Sequence, residues 1–157
     1  MSTFTAKLKA KSEAALQKVE LTRQRAITKL GDRVIDATPV GAPETWAKGG
    51  ASAVAAGYQP GHMKANWQTS VGIPITTEIT DGNTPYAGPS DVSGALSKDN
   101  LRSNLGSGDC TIHITNNVPY AGVIENGRSQ QAPSGMVKLA AADWKNIVHQ
   151  AAQEVGL

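Results

Sequence analysis

Apolar residues in the first 37 positions fall on one helical face. Phe4, Leu8, Ala15, Val19, Ala26, Leu30 and Val34 stand four or seven residues apart, and Leu16, Ile27 and Ile35 widen the stripe. The spacing predicts one long helix within residues 1–37, starting at Ser2 or Thr3, either of which can cap it, and running to Ala37. Pro39 disfavours helical geometry at Thr38 and so sets the end. Gly31 interrupts the helix at a cost of about 1 kcal/mol relative to alanine. A stripe of this length needs a cover, supplied by a small sheet or by a neighbouring subunit.

After the helix the pattern breaks. Residues 41–61 are rich in Gly and Pro with alanines between, which reads as an extended loop with room for a helical turn at Ala51–Ala56. His62–Asn66 is a brief helical approach to a strand. Trp67, Thr69, Val71 and Ile73 alternate, and Ile75–Thr80 continues in β-favouring residues, with Pro74 marking a bulge or an edge. Asp81-Gly82-Asn83 opens a second expected loop over 81–108. Cys110, Ile112 and Ile114 alternate again, Asn116-Asn117 turns the chain, and Val118–Ile124 reads as a possible partnering segment. A last amphipathic helix is expected over 134–155, capped by Ser134 and ended by Gly156. Its apolar face is Val137, Ala140, Trp144, Ile147, Val148, Ala151 and Val155. The order of elements predicts a single α+β domain over 1–157, with a long N-terminal helix and a C-terminal helix packed on one face of a small antiparallel sheet, and two long loops.

Composition sharpens this. Hydrophobic residues make up 39% of the 157 and aromatics 4%, so the core rests on alanine and aliphatic residues. Alanine buries little area, and at roughly 25 cal/mol per Å² such a core stabilises weakly, which favours an oligomer. A net charge of +2 gives no argument for nucleic acid or an anionic membrane as a partner. The charge is unevenly spread: residues 1–36 hold eight basic against four acidic residues, and the remainder holds seven against nine. That is either a solvated helix face or head-to-tail complementarity between subunits. The charged N-terminus without an apolar segment reads as lacking a signal peptide, and no apolar run reaches the ~18 residues of a membrane span. A single cysteine fits synthesis in a reducing cytoplasm.

Little in the chain suggests reaction chemistry. His62, His113 and His149 have no metal-ligand spacing, and Cys110 and His113, three apart on a strand, point to opposite faces. No phosphate-binding glycine motif is present. Neither metal nor cofactor is expected. Glu125 follows Val123-Ile124, where a carboxylate would be half-buried. It is a general acid or base in an enzyme reading. Otherwise it holds a loop by hydrogen bonds or a salt bridge, with Arg128 as a candidate partner. Of the three tryptophans, Trp144 reads as core, Trp67 as core or helix packing, and Trp46, in a Gly/Pro/Ala loop, as an interface anchor or a packing residue.

Three blocks carry a resemblance. The first is the long helix running into Thr38-Pro39-Val40. The second is Gly61-His62-Met63-Lys64-Ala65-Asn66-Trp67-Gln68, leading into a strand. The third is Asn116-Asn117-Val118-Pro119-Tyr120-Ala121 with Ile124-Glu125-Asn126-Gly127, followed by Ala132-Pro133 and a closing helix. In this order they resemble the tail-completion (minor tail protein Z-like) proteins of the necks of tailed bacteriophages. Gly41-Ala42-Pro43 departs from the family's pattern, and Tyr86–Gly108 looks like an insertion.

The resemblance implies a non-enzymatic virion protein, made in the host cytoplasm, that forms a homo-oligomeric ring joining tail to head. The implied partners are a tail terminator or tail tube protein on one side and a head-completion or connector protein on the other. DNA would only pass through the channel, and no membrane is involved. A tail terminator or head-closure subunit of the same junction is the alternative within this class, and a small hydrolase with a site around Glu125 and His113 the alternative outside it. Candidate interface or scaffold residues are Trp46, Pro39, Trp67, Pro119, Tyr120, Glu125, Gly127 and Arg128.

Overall fold

The fold is that of a computed structural model, in which the structure describes residues 3–42, 49–55, 60–80 and 90–157. Trp46 lies outside the described residues. The elements run α1 (Thr3–Ala37), α2 (Gly50–Ala55), α3 (His62–Ala65), β1 (Trp67–Val71), α4 (Ser90–Ser103), β2 (Ile112–Asn116), α5 (Ala121–Val123), a wider turn at Ile124–Arg128, α6 (Val137–Ala142) and α7 (Trp144–Val155). β1 and β2 pair antiparallel with Trp67 opposite Asn116 and Val71 opposite Ile112. The class is α+β, as the pattern predicts. No helix among the described residues is long and apolar enough to cross a membrane.

α1 spans the predicted range, but its two ends live in different surroundings. Residues 3–19 are all exposed, with Leu8 at 58%, Leu16 at 66% and Val19 at 57%. From Thr22 onward the helix is buried along its inner face at Ala26, Gly31, Val34 and Ile35. Ile35 meets Met63, Trp67, Leu101, Val118 and Met136 in the main core, while Ala26 packs with Ile147 and Ala151 of α7. Ion pairs flank the α1–α7 contact: Lys29 with Glu154 at 2.7 Å, and Arg33 with Asp143. The Glu154 carboxyl lies below its ordinary range because of the Lys29 hydrogen bond. The sheet therefore does not cover the first half of the stripe.

The loop expected over 81–108 is corrected by α4, whose Ser90–Ser103 is helical. Its inner face is made of small residues, so the usual apolar period is faint. Gly94 is buried, and a Cβ there would stand 3.1 Å from the Lys64 side chain. Ser97 donates its hydroxyl to the Lys64 carbonyl at 2.8 Å, and Leu101 is fully buried. Gly31 of α1 makes room for Leu101, because a Cβ at Gly31 would collide with the Leu101 Cδ2 methyl. Arg102 with Asp32 and Lys98 with Asp36 close the edges of the α1–α4 contact.

Three further expectations change. The single helix over 134–155 is two, α6 and α7, which meet at Asp143, and Ser134 caps neither. The chain over Val118–Ile124 is a short helix and turn rather than a strand. Trp144, expected in the core, is 39% exposed, since Ile147 and Ala151 are the positions that face α1. Gly156 does end α7, in the left-handed conformation. Within 41–61, Gly50–Ala55 is the helical turn the alanines allow.

Candidate functional site

The three blocks singled out in the sequence meet at one corner of the molecule. Thr38, the residue after α1, turns its hydroxyl back to the Val34 carbonyl at 2.8 Å. The same oxygen accepts the indole N–H of Trp67 at 2.8 Å. Both residues are buried, so the two polar groups satisfy each other away from water. Pro39 follows half-buried and cannot continue the helix. The end of the long helix is thereby fastened to the first residue of β1.

Asparagines fasten the rest. Asn66 is fully buried. Its side-chain oxygen accepts the Ile79 N–H at 2.8 Å, and its Nδ2 donates to the carbonyls of His62 and Ile79. Asn116 donates to the Met63 carbonyl at 2.8 Å, and Asn117 to those of Ile75 and Thr77. Gln68 donates to Thr77 O at 2.8 Å. The segment expected to continue as a strand over Ile75–Thr80 is therefore a strap, held by side-chain amides instead of a ladder. His62 pairs with Glu78 on the same strap. On the free edge of β1, the Asn100 side-chain oxygen accepts the Thr69 N–H at 2.7 Å.

The third block forms the turn into the closing helices. Val118 is buried, Pro119 is exposed, and Tyr120 packs half-buried against the core. Glu125 does not pair with Arg128, which is exposed. Its Oε2 accepts the N–H groups of Met136 and Val137 at 2.8 and 3.0 Å, and its Oε1 accepts that of Lys138 at 2.9 Å. It thus caps α6 from a distance, which replaces the cap expected from Ser134. Burial pushes the Glu125 carboxyl up, but the three backbone N–H bonds and the Lys138 charge outweigh it and hold the group below its ordinary value. Gly127 makes the turn with φ 84°, and a Cβ there would stand 2.5 Å from the Pro133 carbonyl oxygen. Only glycine fits both constraints.

Away from this corner, Arg23 chelates Glu20 and donates to the Gly106 carbonyl at 3.0 Å, with the Cys110 sulfur 3.9 Å from its other nitrogen. The hydrogen bond between them lowers the Glu20 pKa and raises that of Arg23. His113 lies against the Gly72 carbonyl. Among the described residues, no group of three or more His, Cys, Asp or Glu is placed to hold a metal ion.

No protein-family model matches the chain, and no curated protein or solved structure is significantly similar to it. The geometry alone therefore characterises the corner. Of the residues singled out in the sequence, Pro39, Trp67, Tyr120, Glu125 and Gly127 all take part in its turns, packing or hydrogen bonds. Thr38, Asn66 and Asn116 lie within the same three blocks and carry as much of it, yet are not among the candidate residues, because nothing in the pattern tells a buried asparagine from a turn asparagine.

Proposed function

We propose that this chain is a structural subunit of the bacteriophage head–tail junction, a tail-completion protein that assembles in several copies into a ring. The observation that carries the reading is that the three blocks resembling that family are neighbours in space, the first joined to the second by the Trp67–Thr38 hydrogen bond and the second to the third by that of Asn116 to the Met63 carbonyl. What they build is a rigid corner, a device for holding loops and helix ends in place.

The hydrolase alternative would use Glu125 as a proton carrier. Its two oxygens already accept three backbone N–H groups, which favours the ionised carboxylate as a structural element. The long exposed section of α1 supports an assembling protein, because an apolar helix face left in water is stabilised by a partner. The proposed partners are a tail terminator or tube protein and a head-completion or connector protein, with DNA passing through the ring.

The test is a joining assay with heads and tails from a phage stock in which the gene for this chain is inactivated. Added protein should enter particles at the neck and restore head–tail joining. Failure to enter any particle overturns the reading, and entry at the tail end alone reassigns it to the tail-terminator alternative.

A further inference from the structure

α1 carries eight cations and four carboxylates. All four carboxylates are paired: Glu13 with Lys9 at 3.8 Å, Glu20 with Arg23 at 2.8 Å, Asp32 with Arg102 and Asp36 with Lys98. Three more cations of the helix meet acids of the closing helices. Arg25 and Lys29 share Glu154, and Arg33 meets Asp143. Among the described residues, Lys7, Lys11 and Lys18 are left with no carboxylate within ion-pair distance, and all three are exposed. Lys18 donates to the Gly156 carbonyl at 2.9 Å, a neutral acceptor that leaves its charge uncompensated.

The three do not scatter. They stand four and seven residues apart, and eleven residues bring a helix round to the same side, so they form one file over about 16 Å. Glu13 and Glu20 lie on the opposite side of the helix, and the apolar Leu8 and Val19 about a quarter turn away. Lys29, a further eleven residues on, continues the file, and there α7 supplies Glu154. Where the body of the chain reaches, the file is neutralised; beyond it the charge stands open. Lys7 and Lys11 are one turn apart and repel each other, which an anion laid across both converts to attraction.

The shape of the file selects the anion. Cations in a row suit a linear polyanion, and duplex DNA carries one phosphate charge per ~1.7 Å of its axis. No aromatic ring stands in the file as a platform for unstacked bases, so a single strand is not favoured. A lipid surface would use cations on both borders of the apolar face, and Lys9, on the other border, is already held by Glu13.

We propose that Lys7, Lys11 and Lys18 contact the phosphate backbone of duplex DNA, and that this side of α1 faces the channel of the ring. The contact is electrostatic and carries no sequence preference. The proposal deepens the assembly reading and rests on it for the channel and for which polyanion is at hand.

The test measures binding of a fluorescent mixed-sequence duplex of about 30 base pairs to the full chain, by anisotropy, between ~50 and ~200 mM salt. Three phosphate contacts predict a slope of about −2.7 in log affinity against log salt, a loss of about fortyfold across that range. The variant Lys7→Gln, Lys11→Gln, Lys18→Gln should bind at least about tenfold more weakly at the lower salt, with a shallower slope and the circular dichroism of the parent. Lys7→Gln and Lys11→Gln alone, at exposed positions, should each flatten the slope by about 0.9 and serve if the triple variant is unstable. Lys9→Gln should bind as the parent does. No binding by the parent, unchanged binding by the triple variant, or an equal loss from Lys9→Gln overturns the proposal. So does binding to phosphatidylglycerol vesicles without binding to the duplex. The virion reading fails separately. A parent chain that restores head–tail joining but binds no duplex overturns the DNA contact and leaves that reading. A chain that binds the duplex through these lysines yet enters no particle upholds the contact and overturns the reading.

Discussion

The Thr38 hydroxyl accepts the indole N–H of Trp67 at 2.8 Å while itself donating to the Val34 carbonyl. One side chain thus stops the long helix, starts the strand and leaves no buried polar atom of the pair unsatisfied. Thr38→Val keeps the volume but removes the acceptor and strands the indole N–H, and should cost about 1–3 kcal/mol. Thr38→Ser keeps the hydroxyl and should cost less. Urea unfolding of the two variants measures the difference, and equal losses would show that the methyl, not the hydroxyl, matters.

Gly31 and Leu101 form a second such pair. Helix propensity alone predicts that Gly31→Ala stabilises by about 1 kcal/mol. The collision with Leu101 predicts the reverse, a net loss of about 1–3 kcal/mol from overpacking. Leu101→Ala should cost about 2–5 kcal/mol alone. In the double variant the two losses should not add, because the new methyl fills part of the space left by the leucine. Additive losses in a double-mutant cycle would place the two residues out of contact.

Glu125 makes stability depend on pH. Its carboxyl is held below the ordinary value in the folded chain, so its contribution is fully present above the ordinary carboxylate range. That contribution disappears as pH falls through the folded value. Glu125→Gln removes the charge and turns an amide N–H toward backbone N–H groups, and should cost about 1–3 kcal/mol at neutral pH. The gap between variant and parent should narrow in acid, where the parent glutamate is itself protonated. A gap independent of pH would mean that the charge contributes nothing.

The sequence disclosed the C-terminal end of α1, the left-handed stop at Gly156 and the strand beginning at Trp67, because each depends on strong local signals: Pro39, a glycine after a helix, and alternation. α4 escaped because Gly94 and Ser97 pack by being small, and smallness looks like loop composition. Ile75–Thr80 misled in the other direction. Its β-favouring residues lie extended, yet its backbone is held by Asn66, Gln68 and Asn117 rather than by a strand. Glu125 was legible as a half-buried carboxylate that holds a loop. Its partners were not, because they are main-chain groups eleven to thirteen residues on.

The exposed arm should contribute almost nothing to the fold of its own subunit. None of residues 3–19 is buried. Deleting residues 3–17 should therefore change the stability of the body by no more than ~0.5 kcal/mol. A larger loss in thermal unfolding would show that the arm serves the fold rather than assembly.

The most direct test of the account is the mass of the purified chain in solution, by light scattering across a concentration series, with electron microscopy of the same sample. The account predicts a multimer whose mass is a whole multiple of 16.4 kDa and whose images show closed rings. A single species of 16.4 kDa at every concentration would contradict it.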